Sequence, residues 1–244
     1  MPVALLSVVI LSLVVGIGAI LVVAVRRQNV PAIVNAIVVL AAVCFAILFD
    51  IWLRVAASPP VPEAAGLILA CWIAGVGLLH AYGMMGPYDD HWWWDHVTHT
   101  LAAGFIAALT YAAVIVLADH TRIDLGGIGM ALMTVGLTLL AGGVWEVIEF
   151  TSRDIAERMD IDPVLDVYGR RDTLLDLVFD LVGAVVIVAL DVRVFVPLAE
   201  HNPGMTVLLL PAIAVLLILL LGAFAVLVTG GWIRRSPAWA GREG

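Results

Sequence analysis

The chain alternates between long apolar runs and short polar connections, and this pattern predicts an all-α membrane protein. Each run is long enough to cross a hydrocarbon core of ~30 Å as a helix that rises about 1.5 Å per residue. None shows the period-two alternation that is typical of membrane β-strands. We therefore expect a polytopic helix bundle, a single domain over residues 1–244, with about seven transmembrane helices. The runs cover approximately residues 3–25, 30–52, 64–82, 94–117, 125–150, 173–195 and 205–229.

The arginines predict how these helices are oriented. The first run is longer than the ~7–15 apolar residues of a cleaved signal peptide, and Arg26 and Arg27 follow it. We interpret it as a first span of a multi-pass cell-membrane protein, with the N-terminus outside and the C-terminus in the cytoplasm. Three arginines then lie outside and nine inside, as the positive-inside rule expects. The outer set is Arg54, Arg122 and Arg193, and the inner set is Arg26, Arg27, Arg153, Arg158, Arg170, Arg171, Arg234, Arg235 and Arg242.

Composition excludes several classes of protein. Charged residues make up 13% of the chain, against ~25% in soluble domains, so the lipid bilayer is the expected surrounding. The net charge of −8 argues against a nucleic-acid partner. Both cysteines, Cys44 and Cys71, lie in apolar runs, which excludes a disulfide scaffold or a cysteine zinc site. A seven-helix retinal protein is excluded too, because the chain has no lysine to form the Schiff base.

The first polar cluster lies at the start of the fourth run. Asp95 and His99 are four residues apart and therefore share a helix face. The preceding tryptophans, residues 92–94, are typical of an interfacial aromatic belt, and His96 could face the headgroups. His80, near the inner end of the third run, could reach the same region or be a hydrogen-bonded core residue.

The second cluster lies at the inner end of the fifth run. Glu146 and Glu149 are three residues apart on one face. Gly142 and Gly143 precede them and would let a neighbouring helix approach closely. The alternative is that the two carboxylates lie at headgroup depth and pair with Arg153.

The third cluster begins the sixth run. Asp172, Asp176 and Asp180 form an i, i+4, i+8 stripe. The stripe extends about 12 Å along a helix, so a single ion cannot bind all three. Asp172 has a second interpretation as the helix N-cap.

Buried carboxylates at membrane depth need compensation, because four of them would cost on the order of 10 kcal/mol if ionised and unpaired. Protonation or inward-folding arginines could supply it, but oxygen ligands with an imidazole also suit Mg²⁺, Mn²⁺, Fe²⁺ or Zn²⁺. We expect a divalent ion to be bound by four residues, with four others as additional candidates. The first four are Asp95, His99, Glu146 and Asp176, and the others are His80, His96, Asp172 and Asp180.

These motifs, in this order, resemble the YjdF-like family of uncharacterised polytopic membrane proteins. The family shows Asp-x-x-x-His, then Glu-x-x-Glu, then a run like Asp-Thr-x-x-Asp-Leu-x-x-Asn-x-x-Gly-Ala, which is similar to residues 172–184 here. The resemblance covers about residues 40–195 and leaves helices at about 3–25 and 205–229 outside it. Asp180 departs from the pattern, which has Asn or an apolar residue there. The resemblance implies a membrane protein with a metal or proton site.

Three functions remain open on the sequence. The first is a metal-dependent hydrolase or transferase that acts on a lipid-like substrate at the cytoplasmic leaflet, with Glu149 as general base. The second is a cation or proton transporter or channel, the default interpretation of intramembrane carboxylates. The third is a non-catalytic membrane protein with a structural ion-pair network or metal.

Overall fold

The computed structural model describes residues 3–56, 64–161, 164–165 and 169–229, and these residues are mostly helical, with no β-strand among them. The fold is the predicted helical membrane bundle. In these ranges the helices are α1 (Val3–Arg27), α2 (Val30–Ala56), α3 (Ala65–Gly83), α4 (Pro87–Asp90), α5 (Trp92–Thr121), α6 (Gly126–Met159), α7 (Arg170–Ala189), α8 (Val196–Glu200) and α9 (Pro203–Thr229).

Six of the described helices, α1, α2, α3, α5, α6 and α9, are long and apolar enough to cross a membrane. They correspond to six of the seven predicted spans. The longest, α6, has 34 residues and continues past the apolar run into a charged segment that ends at Met159. Arg158 and Asp154 form an ion pair in that segment, with a nitrogen–oxygen distance of 2.7 Å.

The remaining predicted span, the sixth apolar run of the sequence, corresponds to α7 and differs from the prediction. The apolar pattern predicts a helix over 173–195, but α7 ends at Ala189, and the chain then turns at Asp191, which has a φ of 50°. The helix α7 carries too many charges to count as a membrane span by composition. Any 18 consecutive residues of it, about the length that crosses the hydrocarbon core, include all three aspartates of the stripe. The helix α7 is nevertheless long enough to cross a membrane, as the six apolar helices are, since its 20 residues extend about 30 Å.

The chain divides into two compact units, and the first contains Met1–Thr98 and Arg193–Pro203. Within it α1, α2 and α3 pack against one another around small and branched side chains such as Ile17, Val43 and Ala74. The helices approach closely: a Cβ atom added at Gly77 of α3 would collide with Val39 of α2.

The second unit contains His99–Val192 and Gly204–Gly244, and therefore most of α5 with α6, α7 and α9. Glycines allow its helices to approach closely. A Cβ added at Gly183 of α7 would collide with the α5 backbone at Thr100 and Gly104. One added at Gly142 of α6 would collide with Asp180 of α7. These contacts bring the polar faces of α5, α6 and α7 together. That the whole chain forms a single domain stays a prediction.

Candidate metal site

Carboxylates from α6 and α7 converge on one imidazole of α5 in the second unit. His99 is buried, and its ring offers a ligand atom that lies with one carboxylate oxygen each of Glu146 and Glu149 in a group no wider than 4.8 Å. Asp176, which is only 2% exposed, also offers an oxygen within 4.8 Å of a His99 ring nitrogen. The sequence predicts Glu149 as a general base, and that role stays a prediction; its carboxylate also lies among the potential ligands.

Asp180 contacts the same imidazole. Its Oδ1 lies 3.2 Å from Nδ1 of His99, and both side chains are buried. The carboxylate lies against Gly142 of α6, where any side chain would occupy its space. The glycine that the sequence suggested for helix packing therefore has a more specific role, which is to accommodate Asp180.

Glu146 has an incompletely satisfied carboxylate. Its Oε1 is buried and has no hydrogen-bond partner among the described residues. The side chain of Thr173 hydrogen-bonds to this carboxylate, and Glu146 interacts electrostatically with His99 and Asp180. Because an unsatisfied buried carboxylate oxygen is costly, this atom has the character expected of a cation ligand.

Glu149 is held by a residue to which the sequence interpretation gave no role in the site. Nε1–H of Trp145 donates to Oε1 of Glu149 at 2.7 Å. The signal was present in the sequence, because Trp145 precedes Glu149 by one helical turn. The sequence interpretation also gave no role to Thr173, because its contact with Glu146 depends on how α7 packs against α6.

Residues 6–196 match the family described as "Predicted membrane protein (DUF2238)". The chain belongs to this family. A protein of Thermotoga maritima described as "Uncharacterized protein" is 31% identical over 127 residues, which is 50% of this chain. The match covers 59% of that relative's own length. No solved structure matches the chain.

The DUF2238 match contains every residue placed around His99. It begins at residue 6 and so includes α1, although the resemblance seen in the sequence began only at about residue 40. It ends at residue 196, and α9 lies beyond it.

The two further candidate histidines, His80 and His96, lie in the first unit. His80 is engaged by Tyr88, whose hydroxyl oxygen lies 2.6 Å from Nδ1 of the ring. The Tyr88 hydroxyl donates in turn to Oγ1 of Thr98 at 3.2 Å. His96 is only 5% exposed and packs edge-on against Trp92, so it is buried rather than directed to the headgroups.

Asp95 and Asp172 are both partly buried. Asp95 lies one turn before His99 on α5, as the sequence predicts, and its role as a metal ligand stays a prediction.

The interpretation of Asp172 as an N-cap is wrong, because α7 begins at Arg170 and Gly169 occupies the N-cap position. Gly169 has a φ of 112°, which glycine adopts without a steric penalty. Asp172 therefore lies inside the first turn, where a negative charge favours the helix dipole.

Proposed function

We propose that this protein binds a divalent metal ion between α5, α6 and α7, with His99, Glu146 and Glu149 as ligands. The observation that carries this proposal is the group of three ligand atoms within 4.8 Å, one from a carboxylate whose Oε1 has no hydrogen-bond partner among the described residues. Two ligands that each lie about 2.1 Å from an ion can be about 4.2 Å apart, so only a small adjustment is needed.

The ligand chemistry narrows the choice of ion. Two carboxylates and an imidazole suit Mn²⁺, Fe²⁺ or Zn²⁺, and Mg²⁺ is the harder alternative. A divalent ion would balance the charges of Glu146 and Glu149, which lowers the cost of carboxylates in an apolar bundle. Asp176 is the further ligand that we propose for the remaining coordination positions.

We also propose that the site acts on a lipid-like substrate as a hydrolase or transferase in the cell membrane. The surface beside the ligands is apolar and exposed: Trp145, Ile148 and Leu174 are 37%, 46% and 66% exposed. A bound ion would supply Lewis-acid chemistry at a carbonyl or phosphoryl oxygen. Of the chain's own groups, Glu149 would bind the ion through one carboxylate oxygen and accept the proton of the nucleophile at the other. Trp145 would hold that carboxylate in place through its Nε1–H.

We propose that the DUF2238 family is the YjdF-like family that the motifs resemble. The support is that the three motifs fall within residues 6–196, the range of the match.

Metal analysis of the detergent-purified protein tests the site directly. We expect about one divalent ion per chain after purification in metal-replete buffer, and a large loss of metal in Glu146→Gln. The matched control is Glu157→Gln on the same helix, where the carboxylate forms a partly exposed ion pair with Arg153. A wild-type protein without metal, or equal metal content in both variants, would contradict the proposal. Metal binding without turnover of lipid esters or phosphoesters would favour a structural metal instead.

A second candidate function, a proton or cation channel or transporter, is favoured by polar side chains further along α6. Thr138 and Thr134 continue the face of Glu146 at four-residue spacing and are completely buried. Beyond them, the Tyr111 hydroxyl donates to Asp191 at 2.7 Å at the end of α7. Proton flux into proteoliposomes that is abolished by Thr134→Val would support this function over the enzyme.

A further inference from the structure

Asp180 lies outside the three proposed ligands and contacts one of them, His99. Oδ1 of Asp180 is 3.2 Å from Nδ1 of His99, in a place where both side chains are buried. A neutral imidazole donates from one ring nitrogen and accepts with the other. A carboxylate accepts hydrogen bonds, so this contact favours the tautomer with its proton on Nδ1.

The position of Asp180 depends on Gly142. A Cβ atom built at residue 142 collides with Oδ2 of Asp180 and also lies in contact with Leu177. The next residue, Gly143, differs in this respect, because its Cβ would make only an ordinary contact with Leu221 at 3.5 Å. Alanine substitutions at these two adjacent glycines therefore distinguish displacement of the Asp180 carboxylate from a general effect of alanine on α6.

We propose that Asp180 is a positioning residue that accepts the Nδ1–H of His99 and so directs Nε2 of the imidazole to the metal ion. The inference rests on the proposed metal function. It removes Asp180 from the candidate ligands and gives it the role that a carboxylate commonly has behind a metal-binding histidine. Gly142 belongs to the same arrangement, because it provides the space in which the carboxylate reaches the ring.

The metal affinities of four variants test the inference. Asp180→Asn retains a side-chain oxygen that can accept from Nδ1–H, so we expect its Zn²⁺ affinity to stay within a few-fold of wild type. Asp180→Leu fills the same space without an acceptor, and Gly142→Ala displaces the carboxylate without removing it. Both should weaken binding about 10–100-fold. Gly143→Ala is the matched control and should bind as wild type does.

Two spectroscopic measurements separate positioning from ligation. With Co²⁺ in the site, Asp180→Asn should keep the wild-type visible absorption spectrum, because the ligand set is unchanged. In the metal-free protein, ¹⁵N NMR of the histidine rings should show His99 protonated at Nδ1, and Asp180→Leu should shift that signal. His99→Gln identifies the resonance.

Three outcomes would overturn the inference: a changed Co²⁺ spectrum in Asp180→Asn, wild-type affinity in Asp180→Leu, or a His99 ring protonated at Nε2. If the wild-type protein binds no metal, the proposed function fails. The NMR experiment still decides whether Asp180 controls the His99 tautomer.

Discussion

Thr134 is completely buried in the middle of α6, and its hydroxyl oxygen has no hydrogen-bond partner among the described residues. Thr138 differs, because its hydroxyl donates to the Thr134 backbone carbonyl at 2.9 Å. A buried hydroxyl without a partner costs roughly 1–3 kcal/mol relative to an apolar group of the same shape. We therefore expect replacement by valine to change the stability of the protein differently at the two threonines.

Thr134→Val should stabilise the protein by about 1 kcal/mol, because valine has nearly the shape of threonine and removes the unsatisfied hydroxyl. The measurement is the apparent melting temperature in detergent, which should rise by a few degrees. Thr138→Val, the control, should not raise it. A lower melting temperature for Thr134→Val would contradict the prediction and mean that the hydroxyl has a hydrogen-bond partner.

Trp145→Phe should weaken metal binding about tenfold, because it removes a hydrogen bond to a charged carboxylate, worth roughly 1.5 kcal/mol or more. The bond is the 2.7 Å contact from Nε1 to Oε1 of Glu149. Isothermal titration with Mn²⁺ measures the change. Trp93→Phe is the matched control, since Trp93 is 44% exposed and stacks on His91. Equal affinities for the two variants would show that Glu149 needs no support from the indole.

At this scale, the sequence could predict which polar side chains share a helix face but not which atoms meet across helices. The three-residue spacing of Glu146 and Glu149 follows from α-helix geometry alone. The contact of Asp180 with His99 joins residues 81 positions apart. It depends on how α7 lies against α5 and α6, which no local pattern specifies. The incorrect N-cap for Asp172 has a local cause: the glycine before Arg170 begins the helix one turn earlier than the aspartate would.

The helix α7 shows the same distinction between local pattern and tertiary packing. Apolar periodicity predicted its presence and its aspartate stripe, but continued it to residue 195. The structure ends the helix at Ala189, and Asp191 takes a left-handed conformation while accepting a hydrogen bond from Tyr111 of α5. A contact with another helix thus accompanies the turn at this end, whereas apolar residues beyond it, such as Val194, extend the run in the sequence.

Gly183→Ala should destabilise the second unit, because the new Cβ would meet backbone atoms of α5 at Thr100 and Gly104, which cannot turn aside as a side chain can. Such overpacking typically costs about 1–3 kcal/mol. Thermal unfolding in detergent measures it, and metal affinity should fall with it because the contact lies beside His99. Gly136→Ala is the control: nothing lies within 4 Å of its Cβ, and alanine favours the helix by ~1 kcal/mol. The idea fails if the two variants unfold at the same temperature.

At the scale of the whole molecule, family membership and membrane orientation rest on different evidence. The DUF2238 match reaches residue 196 and so includes α7. Length and composition support six membrane spans among the described helices, while the apolar runs of the sequence predict seven, and the difference is α7. If α7 crosses the membrane, the connections before and after it lie on opposite sides. The buried aspartates favour crossing, because Asp176 and Asp180 are directed into the protein, whereas apolar residues such as Leu174 and Val178 are exposed on the surface of the helix.

Cysteine accessibility tests this orientation. Single cysteines at Gln28, Ile123, Asp160 and Asn202, all exposed positions outside the six apolar spans or at their ends, should divide into two classes. A membrane-impermeant maleimide added to intact cells should label Ile123→Cys and Asn202→Cys, and should label Gln28→Cys and Asp160→Cys only after permeabilisation. Replacing Cys44 and Cys71 by serine gives the background. Asp160 and Asn202 decide the point, because α7 is the only long described helix between them. Labelling of both from the same side would show that α7 does not cross the membrane, and six spans would replace seven.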